Sequence, residues 1–105
     1  MTRIPELRVD CEFGSTGLWN GAGHNLSYEQ VGLPIDLEQR VRHLQAEFDE
    51  KAAPYSSLKG DDDFWDWVNI QEIAIAQDIQ LLAGDATRVV LWRGNRWVWI
   101  GEKTS

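Results

Sequence analysis

The stretch Val89-Val90-Leu91-Trp92-Arg93-Gly94-Asn95-Arg96-Trp97-Val98-Trp99-Ile100 decides the fold of this chain. Two runs rich in β-branched and aromatic residues flank a Gly-Asn pair, and that pair tolerates the positive φ that a two-residue hairpin loop demands. The loop sets the register. Arg93 faces Arg96, Trp92 faces Trp97, Leu91 faces Val98, Val90 faces Trp99 and Val89 faces Ile100. Because side chains alternate along a strand, Val90, Trp92, Trp97 and Trp99 share one face of the ribbon. Val89, Leu91, Val98 and Ile100 share the other. Both faces are apolar, whereas an antiparallel hairpin ordinarily keeps one side wet. One face must meet the body of the protein; the other needs a cover, from more of the chain, a second copy or a partner. The pattern alone leaves open which face turns inward.

Upstream of the hairpin, Asp61-Asp62-Asp63 opens a helix that runs to about Ala83 and stops at Gly84. Carboxylates at a helix start satisfy orphan N–H groups and oppose the dipole. Phe64, Val68, Ile75, Ile79 and Leu82 form one apolar stripe, flanked by Trp65, Ala76 and Ala83. Trp67, Ile70, Ala74 and Leu81 form a second stripe on the far side. A helix apolar on two sides is central to its fold or makes an interface. Glu72 falls inside the first stripe, where a carboxylate must pair, take up a proton or lie at a wet margin; an ion pair with an arginine is the ordinary solution.

An earlier helix follows Leu33-Pro34, with Asp36 and Gln39 at capping-box spacing. Its apolar stripe is Leu37, Val41, Leu44 and Phe48, and Glu38–Arg42 makes an i,i+4 pair on the wet side. His43 lies far from the stripe and faces water. Residues 54–61 read as a loop. Ser27-Tyr28-Glu29-Gln30 has the spacing of a further capping box and starts a short helical turn ending at Gly32. Residues 7–13 alternate strictly, with Leu7, Val9, Cys11 and Phe13 on one side and Arg8, Asp10 and Glu12 on the other, as in a half-buried strand. Cys11 then points inward as a protonated, inert thiol. Residues 14–25 hold four of the nine glycines and read as turns around a short strand at Leu18-Trp19; the Lys-Ser/Thr of a phosphate loop is missing. These pieces predict an α+β fold over residues 1–105, taken as a single domain. In it a small antiparallel sheet, made of the N-terminal strand and the C-terminal hairpin, carries the two helices on one face.

Charge divides the chain. Residues 1–84 carry six basic and fifteen acidic side chains, a net −9, while residues 85–105 carry four basic and two acidic, a net +2. Such a body opposes binding to a phosphate backbone and suits a basic partner or plain solubility. One cysteine rules out an internal disulfide and a cysteine-based zinc site. No apolar run is long enough to cross a bilayer, and no signal-peptide pattern opens the chain, so a cytoplasmic protein is expected. No catalytic triad, Cys/His pair or metal-ligand spacing is present. His24, in the glycine-rich loop beside Asn25, is the best isolated candidate for chemistry.

The segments Gly17-Leu18-Trp19-Asn20, Leu26-Ser-Tyr-Glu-Gln-Val-Gly-Leu33 and Leu37-Glu-Gln-Arg-Val-Arg-His-Leu44 resemble small acidic bacterial proteins of immunity type, over residues 14–50. The resemblance implies a non-catalytic inhibitor of another protein. The residues alone point the same way, to a protein-binding module with no catalytic residue, no cofactor and no metal. Its partner is another protein, a basic one by charge, or itself as a homodimer or larger homo-oligomer. Trp and Arg are common interface anchors. The expected contact residues are therefore Trp92, Arg93, Arg96, Trp97 and Trp99, with Trp67 and Ile70 from the second helical stripe.

Overall fold

The fold is a computed structural model, which describes residues 1–52 and 62–101. It is α+β, with strand β1 (Glu6–Val9), strand β2 (Leu18–Asn20), a one-turn helix α1 (Tyr28–Val31), helix α2 (Ile35–Ala52), helix α3 (Asp62–Ala83), and strands β3 (Arg88–Arg93) and β4 (Arg96–Trp99). The four strands form one sheet in the order β2-β1-β3-β4. The hairpin has the expected register, Arg93 to Arg96 through Val90 to Trp99, and Ile100 N–H donates to Val89 C=O beyond the strand end. Gly94 and Asn95 have φ of 57° and 67°, the double positive φ of a tight hairpin loop whose twist matches that of its strands.

The sheet is mixed where an antiparallel one was expected. β1 pairs with β2 antiparallel but with β3 parallel, Leu7 opposite Val89 and Val9 opposite Leu91. The direction follows from the connection. β2 runs back beside β1 and ends next to its start, and after α2 and α3 on one face of the sheet the chain enters β3 at that same end, beside Glu6, so β3 runs in the direction of β1. β1 is also shorter than the alternation over 7–13 implies. After Val9 the chain turns, with Ser15 N–H donating to Glu12 C=O and Gly14 at φ 77°, so Phe13 is turned out and 47% exposed.

The hairpin buries its aliphatic face. Leu7, Val9, Leu18, Val89 and Leu91 from the sheet meet Leu37, Val41 and Leu44 of α2 and Ile75, Ala76 and Ile79 of α3 in one core, with Ile100 packed at its border. Phe48 and Val68 make a smaller core between the helices, against Phe64 and Cys11. The α2 stripe is therefore buried as predicted. On α3 the first stripe is buried from Val68 to Ile79, but Leu82, in the last turn, is 49% exposed. The Ser27–Gln30 capping box forms, and Gly32 closes α1 in the left-handed region at φ 68°. α2 begins at Ile35, two residues earlier than a cap at Asp36 requires, and Asp36 instead lies in its first turn, where a carboxylate still opposes the dipole. The loop expected over 54–61, and Asp61 with it, lies outside the described residues.

Candidate partner-binding face

With both helices on one side, the other side of the sheet is the tryptophan face. Trp92 on β3 and Trp97 on β4 stand opposite each other across the hairpin, their rings edge to face with centroids 5.1 Å apart. Two residues from the loop, such a pair is a non-hydrogen-bonded one, which brings the side chains closest. Trp97 lies between exposed and buried, and its ring reaches across β3 to β1, where the Arg8 guanidinium stacks 4.4 Å from the ring centre. Arg8 is held there by Glu6 at 3.0 Å and by the Gly21 carbonyl at 2.8 Å. Val90, an outer-face residue by parity paired with Arg8 on one side and Trp99 on the other, is only 4% exposed. Trp99 ends the ribbon under the Arg88 guanidinium at 5.0 Å, and its indole N–H donates to Gln80 Oε1 at 2.9 Å. Trp92 stays 44% exposed.

β2 adds a residue that the hairpin pattern does not reveal. Trp19 is paired with Arg8 and lies on the same outer face, with its indole N–H donating to Asp10 C=O at 2.9 Å. Arg8, Asp10, Glu12, Phe13, Trp19 and Trp97 line an open groove of about 380 Å³. Arg8 and Asp10 lie on the polar side of the strand alternation, so their outward direction is legible. Trp19 is not, because a three-residue strand carries too little pattern to choose a partner or a register.

Arg93 and Arg96 are a facing pair whose parity is that of the aliphatic face. Arg93 is committed inside the molecule. Its guanidinium lies 3.6 Å from Glu72 Oε1 and donates to the Asn69 and Trp92 carbonyls. Glu72, 4% exposed, also accepts Cys11 N–H at 2.9 Å, so the carboxylate in the α3 stripe is solved by pairing. Burial pushes the Glu72 carboxyl above its usual range, while the Cys11 N–H and Arg93 pull it back in part. Asp10 is pushed up to about 7 by burial first, then by the negative charges of Glu72 and Glu12 and a hydrogen bond with Glu12; Arg93 opposes this more weakly. The Cys11 thiol is driven upward by burial and by the Glu72 and Asp10 charges, which keeps it protonated. Arg96 is exposed.

Trp67 and Ile70 are 36% and 63% exposed, and with Leu81 at 82% they form an apolar stripe on the α3 surface turned away from the sheet. The expected contact residues are thus divided. Trp92 and Trp97 share the outer sheet face, Trp99 has the same register parity but bonds Gln80 of α3 through its indole, Trp67 and Ile70 lie on the opposite surface, and Arg93 bonds within the fold. His24 is exposed in the turn after β2, where its backbone N–H bonds Asn20 Oδ1. Among the described residues, no three His, Cys, Asp or Glu side chains converge so as to hold a metal ion, and no helix is long and apolar enough to cross a membrane. Comparison with protein-family models, with curated proteins and with solved structures finds no match.

Proposed function

We propose that this protein is a small protein-binding module, without chemistry of its own, that uses the outer face of its sheet. The carrying observation is that face: Trp19, Trp92 and Trp97 lie on the side of the sheet opposite the helices, while Trp99, on the same face by register, turns its indole N–H to Gln80 of α3. Indoles at such a site give large apolar contact area at low cost in side-chain freedom, which is why they dominate binding hot spots. The acidic body supplies a field that would draw a basic partner. An inhibitor of immunity type acting in the cytoplasm is the sharpest form of this reading.

Self-assembly is the second reading, favoured by the separate exposed stripe of Trp67, Ile70 and Leu81 on α3. Light-scattering mass across about a hundredfold concentration range separates the two, with Trp92→Glu and Ile70→Glu measured beside the wild type. The binding-module reading expects a wild-type monomer and capture of a basic protein that Trp92→Glu abolishes. A dimer dissolved by Trp92→Glu would assign the tryptophan face to self-association. A dimer dissolved only by Ile70→Glu would assign assembly to α3 and leave the sheet face open to a partner.

A further inference from the structure

The groove between Trp19 and Trp97 has a charge pattern that the rest of the tryptophan face lacks. Arg8 is neutralised by Glu6 at 3.0 Å, and Arg93 by Glu72 at 3.6 Å. Among the described residues no basic side chain forms an ion pair with Asp10 or Glu12, and Arg93 acts on Asp10 only at a distance. The groove therefore combines aromatic walls with two carboxyl groups that no basic side chain among the described residues pairs. Aromatic faces attract flat, weakly hydrated cations, and a guanidinium both stacks on an indole and forms paired hydrogen bonds with a carboxylate. The groove already holds one example, since the Arg8 guanidinium lies 4.4 Å over the Trp97 ring. Trp19 is the other wall, its N–H tied to the Asp10 carbonyl, beside Asp10 and Glu12.

We propose that this groove receives an arginine side chain of a basic protein partner, the guanidinium stacking against Trp19 with Asp10 and Glu12 as its counter-charges. The proposal rests on the protein-binding reading and adds the chemistry of the partner. The groups acting on the Asp10 charge come from three elements: Glu12 from its own segment, Glu72 from α3 and Arg93 from β3, with Arg8 of β1 across the groove. Burial and the neighbouring Glu72 and Glu12 charges push Asp10 up to about 7, so a proton must leave Asp10 before a cation gains the full double charge. Affinity should therefore rise by up to about tenfold between about pH 6 and about pH 8.

The test is a titration of the intact protein with a hexa-arginine peptide, followed through the indole N–H resonances of its tryptophans, with hexa-citrulline as the uncharged, isosteric control. The proposal expects Trp19 and Trp97 to move with hexa-arginine only. It expects Asp10→Asn/Glu12→Gln to weaken binding at least about tenfold, and Glu50→Gln, a distant acid on α2, to leave it unchanged. Both variants remove charge without volume, so they keep the fold testable where Trp19→Ala would not. Equal shifts with hexa-citrulline, or equal weakening by Glu50→Gln, would overturn the proposal, the second by showing diffuse attraction. Shifts confined to Trp92 and Trp99 would overturn the groove while the sheet-face reading stands. Shifts at Trp19 and Trp97 with cellohexaose but not with hexa-arginine would make the groove a sugar site and overturn it as well. Shifts at Trp67 alone would overturn the groove and count against the sheet-face reading too.

Discussion

Asp10 is where single-residue chemistry departs furthest from the ordinary. Its carboxyl has little room for charge, with the buried Glu72 on one side and Glu12 on the other. A carboxyl with a raised pKa in the folded state binds more protons there than in the unfolded chain. Its contribution to stability is therefore full below the unfolded value near 4 and is lost as pH rises through about 7. The expected outcome is a protein more stable at about pH 5.5 than at about pH 8, by about 1 kcal/mol once solvent screening of this half-exposed group is allowed for. Asp10→Asn should flatten the dependence by raising stability at the higher pH. Urea unfolding at the two pH values, wild type against variant, measures it, and an unchanged slope with pH in the variant would remove Asp10 from the account. At this scale the sequence is informative about type and silent about neighbours. Glu72 in an apolar helical stripe announces that it needs a partner, but that the partner is Arg93, at a hairpin tip 21 positions away, is a fact of the tertiary structure.

Among the elements, the junction of α3 with β3 is held by one side chain that no pattern marks. Gln80 Nε2 donates to the Gly84 and Thr87 carbonyls, and its Oε1 accepts Val89 N–H and the Trp99 indole N–H, all within 2.9 Å. The amide thus ties the end of α3, the short helical turn over Gly84–Ala86, the start of β3 and the end of β4. Gln80→Ala strands two donors and two carbonyls, partly buried, and should cost about 2–4 kcal/mol, since each unsatisfied buried group costs about 1–3. Equilibrium denaturation reads this directly, and amide exchange should quicken at Val89 first. A cost under about 0.5 kcal/mol would mean that water replaces the amide freely. The elements themselves were largely legible. The hairpin and its register follow from the Gly-Asn loop, α2 from its stripe, and α1 from its capping box. β1 was over-extended because alternation continues through Phe13 while the backbone does not; the Glu12–Ser15 turn and Gly14 end the strand, and a side-chain pattern does not register a backbone turn.

For the whole molecule the governing event is the choice of face. The aliphatic side of the hairpin packs against α2 and α3, while Trp92 and Trp97 take the other side. A direct check compares two neighbours on β3. Leu91, 3% exposed in the core, should lose about 3 kcal/mol on Leu91→Ala. Trp92, 44% exposed, should lose less than about 1 kcal/mol on Trp92→Ala while any partner binding falls sharply. Equal losses would mean that the tryptophan face is a second core. Trp97 is the poorer probe, because the Arg8 guanidinium of β1 stacks on its ring, so its removal also frees that side chain. By itself, the sequence determined the α+β class, the hairpin, its register and the surplus of apolar surface, because these rest on periodicity and loop chemistry among residues close in the chain. Only the tertiary structure decided the parallel pairing of β1 with β3, the face that turns inward, the alliance of Arg93 with Glu72 and the meeting of Trp19, Arg8 and Trp97 in one groove. Each of those depends on packing between segments far apart in sequence, where several arrangements satisfy the same local pattern and the closest-packed core selects among them.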